Sequence, residues 1–296
     1  MNFKNKYKEY LDLINSKIEK CFEIRDCEHK KIYEAMRYSL LAGGKRLRPI
    51  LALAVCDLFL KDKENIIPYA CAIEMIHTYS LIHDDLPAMD NDDLRRGRPT
   101  CHIVFGEALA ILAGDGLLNY AYQTMLSDAF KNYENLEYKI RAMHFISEAS
   151  GVEGMIAGQV IDMESQNRKI DPELLENMHR CKTGALIKAS VMASAYLCNA
   201  TNDEIVALEK YAENIGLAFQ IKDDILDVDG SDEELGKKVG SDMANEKSTF
   251  VSLYGIDRSK QILNDLTNQA ISSLNIFGEK AEFLKELAFY LISRKN

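Results

Sequence analysis

Few residues in this chain can interrupt a helix. Among its 296 residues are 5 Pro and 16 Gly, too few for the many turns of a β-sandwich or barrel. Helix-start signals recur instead. Asp171-Pro172 joins an N-cap residue to a Pro at the first helical position, Thr201 and Glu204 form a capping box, and Pro68 opens an apolar run. The chain is therefore predicted to be all-α.

The distribution of apolar and polar runs predicts how these helices are arranged. Residues 51–55 and 111–113 are apolar nearly all round, which predicts helices enclosed by other helices. Loops are predicted at residues 62–65, 90–100, 167–171 and 229–245. The last is the longest polar stretch and is the candidate for a mobile lid. We expect one domain, residues 1–296, with long helices around a central cavity.

Charge and cysteine content narrow the classes of partner. The net charge of −10 disfavours nucleic acids and anionic membranes, although local basic clusters could still bind a small anion. Seven Cys without a CxxC pair fit reduced thiols in an intracellular protein. The N-terminus lacks the apolar region of a signal peptide, and the uncharged stretch 189–202 is too short and polar for a membrane span. A cytoplasmic location is expected.

One acidic cluster has regular helical spacing. In a helix, Asp223 and Asp227 share a face, with Phe219 and Gln220 one turn earlier, while Asp224 lies about 100° round the axis. Two carboxylates one turn apart on an otherwise apolar helix repel each other. The cluster therefore needs a compensating cation or water.

A second acidic cluster, earlier in the chain, is irregular. Asp84 and Asp85 precede Asp90, and Pro87 between them would disturb a continuing helix. The spacing works if the helix breaks there and the chain swings Asp90 back towards Asp84. His77 lies two turns before Asp84 on nearly the same face.

Both clusters offer only hard oxygen ligands, since neither has Cys or His at ligand spacing. Such ligands suit Mg²⁺, Mn²⁺ or Ca²⁺, and Mg²⁺ is typically shared with substrate phosphates. Neither cluster fits an EF-hand calcium loop. A solvated helix end is the alternative for a single Asp pair, but two clusters in apolar settings favour metal binding.

Basic motifs accompany the acidic ones. Residues 43–48 place three cations at a glycine turn, and an Arg pair directly follows the first acidic cluster. Arg and Lys are the usual partners of phosphate oxygens, although salt bridges within the empty protein are the simpler alternative. The cations concerned are Lys45, Arg46, Arg48, Arg95, Arg96, Lys182, Lys238 and Lys247. Neither a Ser-His-Asp arrangement nor a GxxxxGK[ST] loop competes with this interpretation.

Together these motifs resemble the trans-prenyl diphosphate synthases, and most closely the bacterial farnesyl diphosphate synthases. The resemblance runs from about residue 35 to about residue 255 and rests on residues 43–49, 77–97, 158–162, 182–184 and 219–227. It implies an isoprenoid-synthase-type helical bundle and a homodimer. It also implies a prenyltransferase that condenses isopentenyl diphosphate with dimethylallyl and geranyl diphosphate to give farnesyl diphosphate.

The resemblance assigns expected roles to individual residues. Two or three Mg²⁺ ions per site, with Mn²⁺ possible, would be held principally by Asp84, Asp90 and Asp223. Supporting acidic residues would be Asp85, Asp162, Asp224 and Asp227. Contacts to the allylic diphosphate would come from Arg95, Lys182, Thr183, Gln220 and Lys238. The isopentenyl diphosphate pocket would include Lys45, Arg48, His77 and Arg96. Further substrate contacts are expected from Arg46, Gln159, Phe219 and Lys247.

Product length is expected from the residues just before the first acidic cluster. The family places large side chains there as a floor for the growing chain. Tyr79, with the insertion Pro87-Ala88, resembles farnesyl-forming enzymes. A helical wheel instead puts Ser80 nearest the face of Asp84, and Tyr79 could be a simple core residue.

Three other functions remain open at this point. A geranylgeranyl diphosphate synthase would differ only in product length. A terpene cyclase usually lacks the Gly-Gly-Lys-Arg motif and the Arg pair, both of which are present. A non-catalytic partner subunit would be expected to lose residues of the acidic clusters, and both clusters are intact.

Overall fold

The computed structural model describes residues 2–21, 24, 26–166, 168–229 and 248–293. Its helices up to the acidic residues of the first cluster are α1 Phe3–Glu19, α2 Lys30–Leu40, α3 Leu47–Leu58 and α4 Ile67–Asp84. A hairpin of β1 Leu94–Arg95 and β2 Arg98–Pro99 follows, then α5 Cys101–Phe105, α6 Glu107–Lys131, α7 Leu136–Ser150 and α8 Met155–Ser165. The later helices are α9 Pro172–His179, α10 Ala185–Leu197, α11 Asn202–Asp229, α12 Phe250–Tyr254, α13 Ile256–Ser273 and α14 Glu282–Ser293. Short 3₁₀ helices cover Lys63–Asn65 and Leu274–Ala281.

The predicted helix starts are confirmed. The Asp171 carboxylate accepts the backbone N–H of Leu174 at 2.8 Å where α9 begins. At the start of α11, the Thr201 N–H donates to Glu204 Oε2 at 2.8 Å and the Glu204 N–H donates to Thr201 Oγ1 at 3.4 Å. These bonds satisfy backbone donors that the first turn of a helix leaves unpaired.

The centre of the bundle is formed by α3, α4 and α10. Residues 51–55 are all buried, as predicted. A buried hydroxyl, Ser194 Oγ, donates to the Ala52 carbonyl at 2.7 Å and joins α10 to α3. Around this centre, α6 packs along α4, α7 along α10, and α13 along α11. The all-α prediction is confirmed.

The expectation for residues 111–113 is wrong in part. Ala113 is buried, but the side chains of Ile111 and Leu112 are 44% and 55% exposed. The reason is that α6 turns a face of small residues, including Ala110 and Ala113, towards its neighbours and leaves a second apolar face outside. Short-range apolar runs do not distinguish these two kinds of face.

Among the described residues, no helix combines the length and apolar character needed to cross a bilayer.

Candidate active site

The first acidic cluster is built on the broken end of α4. The helix ends at Asp84, and the chain then turns back so that the Asp90 N–H donates to the Asp84 carbonyl at 2.9 Å. The Asp92 N–H likewise donates to the Asp85 carbonyl at 3.2 Å. The predicted break and return of the chain are therefore confirmed.

The electrostatics of this turn favour a bound cation. Burial raises the pKa of Asp84 to about 6; Lys182 and Arg95 oppose this shift, whereas the negative charges of Asp90 and Asp85 add to it. An Asp whose charged form is this costly gains most from a neighbouring positive ion.

The hairpin supplies a cation to Asp85. Arg95 on β1 donates from Nε to Asp85 Oδ1 at 2.6 Å, with Nη2 at 2.5 Å from the same oxygen and 3.4 Å from Asp92. Burial raises the pKa of Asp85, and Arg95 partly offsets that rise. Arg95 therefore forms an internal salt bridge in the empty protein, which was the simpler alternative to phosphate binding.

The second acidic cluster lies on an unbroken part of α11. Asp223 is half-buried, and its charge reaches Arg48. Asp227 is buried. Asp224 is 2% exposed and is directed elsewhere, since it accepts hydrogen bonds from Gln220 Nε2 at 3.1 Å and from the Phe250 N–H at 2.9 Å. The expected offset of Asp224, about 100° round the helix axis, therefore turns it away from the face that Asp223 and Asp227 share.

A π-helical turn, Arg180–Gly184, joins α9 to α10. It carries Lys182 and Thr183, two of the predicted contacts to the allylic diphosphate. Lys182 Nζ donates to Asp162 Oδ2 on α8 at 2.6 Å. Burial alone would lower the pKa of Lys182, but the carboxylates of Asp162, Asp84 and Asp90 outweigh it and raise the pKa. Lys182 thus lies between α8 and the first acidic cluster. Wide π turns of this kind recur at functional sites.

Close packing holds this turn in place. A Cβ at Gly158 on α8 would lie 2.1 Å from the Lys182 backbone nitrogen, so only glycine allows this approach. On the other side of the turn, Thr183 Oγ1 donates to Gln220 Oε1 on α11 at 2.9 Å. The turn is therefore fixed between α8 and α11.

Arg48, at the start of α3, interacts with His77 and Arg96. Arg48 is buried, burial lowers its pKa to about 10, and its Nε has no hydrogen-bond partner among the described residues. His77 is half-buried, and burial, with the positive charges of Arg48 and Arg96, lowers its pKa well below the usual value. His77 is therefore neutral at pH 7, and Arg48 offers an unused donor.

Arg46 points into the core rather than towards these groups. Its Nη1 lies 2.8 Å from Glu74 Oε1, and both side chains are about 2% exposed. Its Nη2 and Nε donate to the Leu40 carbonyl and to Asn15 Oδ1. The predicted substrate contact would require this buried pair to break, which is costly. Glu74 was missed, although a lone acidic residue within the apolar run of α4 was a signal for it.

Arg96 links the two basic motifs. Its guanidinium donates to the Gly43 carbonyl and lies against Gly44, where a Cβ would be 2.6 Å from Arg96 Cζ. Lys45, next in the chain, is half-buried. The glycine turn is required by its backbone, since Gly43 and Gly44 have φ values of +82° and +117°, which residues with a side chain rarely adopt.

The remaining predicted residues are distributed as follows. Gln159 and Phe219 are half-buried. Tyr79 is buried on α4, and its ring meets His83 edge-on at 5.7 Å. Burial, together with Tyr122 and Asp84, raises the pKa of Tyr79 to about 12. Ser80 Oγ donates to the His77 carbonyl of its own helix at 3.0 Å. Lys238, Lys247 and residues 230–245 of the predicted lid lie outside the described residues.

The donor set fits a magnesium ion that is only partly held by protein. Within the described part of the chain, no group of three or more His, Cys, Asp or Glu side chains is placed to hold a metal by itself. Mg²⁺ commonly takes one or two carboxylates and completes its shell with water and phosphate oxygens. The return of the chain that places Asp90 beside Asp84 supports a cation there, and the raised pKa of Asp84 agrees with it.

Comparisons with known proteins identify the family of this chain. The sequence profile described as polyprenyl synthetase matches residues 29–283. A farnesyl diphosphate synthase from Micrococcus luteus is 44% identical, over 98% of this chain and 97% of that protein. The large subunit 1 of a heterodimeric geranylgeranyl pyrophosphate synthase from Arabidopsis thaliana is 45% identical, over 96% of this chain and 77% of its own.

A solved structure gives the same result for the fold. The apo FPP/GFPP synthase of Zymomonas mobilis superposes with a TM-score of 0.88 at 36% identity, over 99% of both chains. The expected isoprenoid-synthase fold is thereby confirmed. With the profile match over most of the chain, these findings show that the chain belongs to the polyprenyl synthetase family.

Proposed function

We propose that this protein is a prenyltransferase that condenses isopentenyl diphosphate with dimethylallyl and then geranyl diphosphate to give (2E,6E)-farnesyl diphosphate. The return of the chain at the end of α4, which brings Asp90 back to Asp84 with Lys182 nearby, is the observation that carries the proposal. It joins two carboxylates and a cation in one place, as capture of a metal-bound diphosphate requires.

Asp84, Asp90 and Asp223 are the proposed holders of two or three Mg²⁺ ions, with Mn²⁺ as an alternative. When bound, such ions would neutralise the charge that develops on the leaving diphosphate. Asp85 and Asp224 are already held by protein donors, so we assign them supporting roles, together with Asp162 and Asp227.

Two groups of protein donors would bind the two diphosphates. For the allylic substrate they are Arg95, Lys182, Thr183 and Gln220. For isopentenyl diphosphate they are Lys45, Arg48, His77 and Arg96. Arg48 supports this division because it carries an unpartnered buried N–H. Arg46 is left out because its guanidinium is engaged in the core. Contacts from Gln159, Phe219, Lys238 and Lys247 remain predictions.

The proposed reaction follows from this arrangement. Lys182 and Arg95 hold the allylic diphosphate while its C–O bond breaks, leaving an allylic cation. The double bond of isopentenyl diphosphate then attacks that cation, and a proton is lost to the departing diphosphate. Preorganised positive groups lower the barrier most where charge develops. Neutral His77 can orient the second substrate without adding charge to the site.

Tyr79 is the proposed floor of the product pocket. It is buried about 1.4 turns before Asp84, and its ring is backed by His83. His83 Nε2 in turn lies 3.1 Å from the Ile111 carbonyl on α6. A rigidly backed ring would stop chain growth early, which favours a farnesyl over a geranylgeranyl product. The Arabidopsis relative is named for the longer product, so product length needs direct measurement.

We also propose a homodimer that uses the outer face of α5 and α6. Its exposed apolar side chains are Ile103, Val104, Ile111, Leu112, Leu126 and Phe130. Those on α6 lie within about 100° of one another round the helix axis, and such a stripe is typical of a protein interface. Leu112→Glu should give a monomer in light scattering after size-exclusion chromatography, whereas Ile276→Glu, equally exposed elsewhere, should not. A dimer that survives Leu112→Glu and Phe130→Glu would contradict this interface.

A cytoplasmic location and a single domain over residues 1–296 complete the proposal.

One assay separates the candidate functions. Purified protein is incubated with labelled isopentenyl diphosphate, Mg²⁺ and either dimethylallyl or geranyl diphosphate, and the products are chromatographed. A C15 diphosphate is expected. A C20 product indicates a geranylgeranyl synthase, a cyclic hydrocarbon a terpene cyclase, and absence of product without a partner protein a non-catalytic subunit.

A further inference from the structure

Asp224 has a different environment from the other acidic residues of the second cluster. Its side chain is 2% exposed, and each of its oxygens already accepts a hydrogen bond from the protein. One comes from Gln220 Nε2, one turn earlier on α11. The other comes from the backbone N–H of Phe250, 26 residues later, where α12 begins. Each oxygen keeps a second lone pair, but at 2% exposure a cation could reach Asp224 only by displacing the groups packed around it.

The direction of these hydrogen bonds is fixed by Asp224. Because Asp224 Oδ1 accepts from Gln220 Nε2, the other end of that amide, its carbonyl oxygen, faces Thr183. Thr183 Oγ1 accordingly donates to Gln220 Oε1 at 2.9 Å. The chain of bonds therefore runs from the π-helical turn, through α11, to the backbone of α12.

His179 closes the same cluster. It precedes the π-helical turn, its ring stacks on that of Phe250 at 5.7 Å, and its Nε2 lies 3.6 Å from Asp224 Oδ2. That nitrogen is buried and has no hydrogen-bond partner within the described residues. Phe250 thus meets the cluster through both its amide and its ring.

We propose that Asp224 is a positioning residue rather than a metal ligand: it fastens the start of α12 at Phe250 to Gln220, and thereby to the turn that carries Lys182 and Thr183. The inference rests on the function proposed above, in which Lys182 and Thr183 bind the allylic diphosphate. Loss of the tie would let α12 separate from the turn and would leave the amide of Gln220 free to rotate away from Thr183.

An asparagine at this position distinguishes the two roles. In Asp224→Asn, the side-chain oxygen can still accept from the Phe250 N–H. The new NH₂ group can donate to Gln220 once that amide flips, so the tie survives without the charge. In Asp224→Ala both bonds are lost. A metal ligand would instead fail in both variants. Asp223→Asn, at a proposed metal-binding position, is the matched control.

Two measurements on the full-length protein test the proposal. The first is amide hydrogen exchange of the peptide that contains Phe250, followed without metal. Exchange at Phe250 should be roughly 10-fold faster or more in Asp224→Ala and nearly unchanged in Asp224→Asn and Asp223→Asn. The second is the Mg²⁺ concentration that gives half-maximal incorporation of isopentenyl diphosphate. It should stay within about 2-fold of wild type in Asp224→Asn and rise about 10-fold or more in Asp223→Asn.

The outcomes are distinct. A 10-fold rise in the Mg²⁺ requirement of Asp224→Asn would overturn the proposal in favour of a ligand, as would unchanged Phe250 exchange in Asp224→Ala. If Asp224→Ala does not fold, the Mg²⁺ requirement of Asp224→Asn still decides. If wild-type protein incorporates no isopentenyl diphosphate, the proposed function fails, and the exchange measurement alone judges the tie.

Discussion

The two acidic clusters arrange their carboxylates by different means. In the first, the backbone does it: α4 ends at Asp84, and the returning chain hydrogen-bonds Asp90 to it. In the second, α11 continues unbroken, and side-chain partners separate the roles instead, since Asp224 is taken by Gln220 and Phe250. In our proposal, the same residue type repeated at short spacing thus forms a pair of metal ligands in one cluster and a structural tie in the other.

Neutralising Asp84 should lower the activity more than any substitution below, and it should raise the stability of the metal-free protein. Asp84→Asn removes a proposed ligand, so we expect the rate of isopentenyl diphosphate incorporation to fall about 10²- to 10³-fold. The folded-state pKa of Asp84, about 6, lies above the ordinary 3.8. Ionisation of Asp84 therefore destabilises the metal-free fold above pH 6, and this destabilisation disappears as the pH falls below about 4.

Thermal melts of metal-free protein across pH check the sign of this effect. Asp84→Asn should melt higher than wild type at pH 7.5, and the two should converge near pH 4. Asp93→Asn, an exposed neighbour, serves as the control and should leave the melting temperature unchanged. Equal melting temperatures of Asp84→Asn and wild type at pH 7.5 would mean that the first cluster carries no electrostatic cost.

Removal of Arg95 tests how the hairpin completes the first cluster. Arg95→Leu leaves Asp85 buried without its cation, which should lower the free energy of unfolding by about 1–3 kcal/mol; one-third of the Arg95 side chain is exposed, so the cost is below that of a fully buried pair. The double variant Asp85→Leu, Arg95→Leu should recover part of the loss in urea titrations. If the double variant is less stable than Arg95→Leu, the pair is not the source of the effect.

Gly158→Ala tests the support of the π-helical turn. The new Cβ would lie 2.1 Å from the Lys182 backbone nitrogen, and overpacking of this kind costs about 1–3 kcal/mol. The matched control is Gly184→Ala in the same turn, where the nearest atom would be the His179 carbonyl oxygen at 3.5 Å. We expect lower stability and weaker allylic-substrate binding only for Gly158→Ala, measured by urea unfolding and KM. Equal effects of both substitutions would contradict the close-approach argument.

Tyr79→Ala should change the rate least and the product most. Because Tyr79 lies below Asp84 without a predicted role in binding the diphosphate, the first condensation should proceed within about 10-fold of wild type, while chromatography shows products longer than C15. Ser80→Ala, one residue on, is the control and should keep the C15 product. Unchanged product length in Tyr79→Ala would make Tyr79 a core residue only.

Features set by neighbouring residues could be predicted from the sequence, whereas features set by packing between distant residues could not. The break at Pro87 and the caps at Asp171 and Thr201 were predictable, because they depend on neighbouring residues. The Asp224–Phe250 bond was not, since its partners are 26 residues apart and meet only through packing. The π-helical turn at Lys182 leaves no pattern in composition, and the inward direction of Arg46 depends on Glu74 on another helix.

The most direct test of the account is a product analysis with geranyl diphosphate and labelled isopentenyl diphosphate, with Mg²⁺ and then with the metal chelated. Farnesyl diphosphate as the main product, formed only with the metal, is the predicted result. Formation of the same product without a divalent cation, or no incorporation of isopentenyl diphosphate at all, would contradict it.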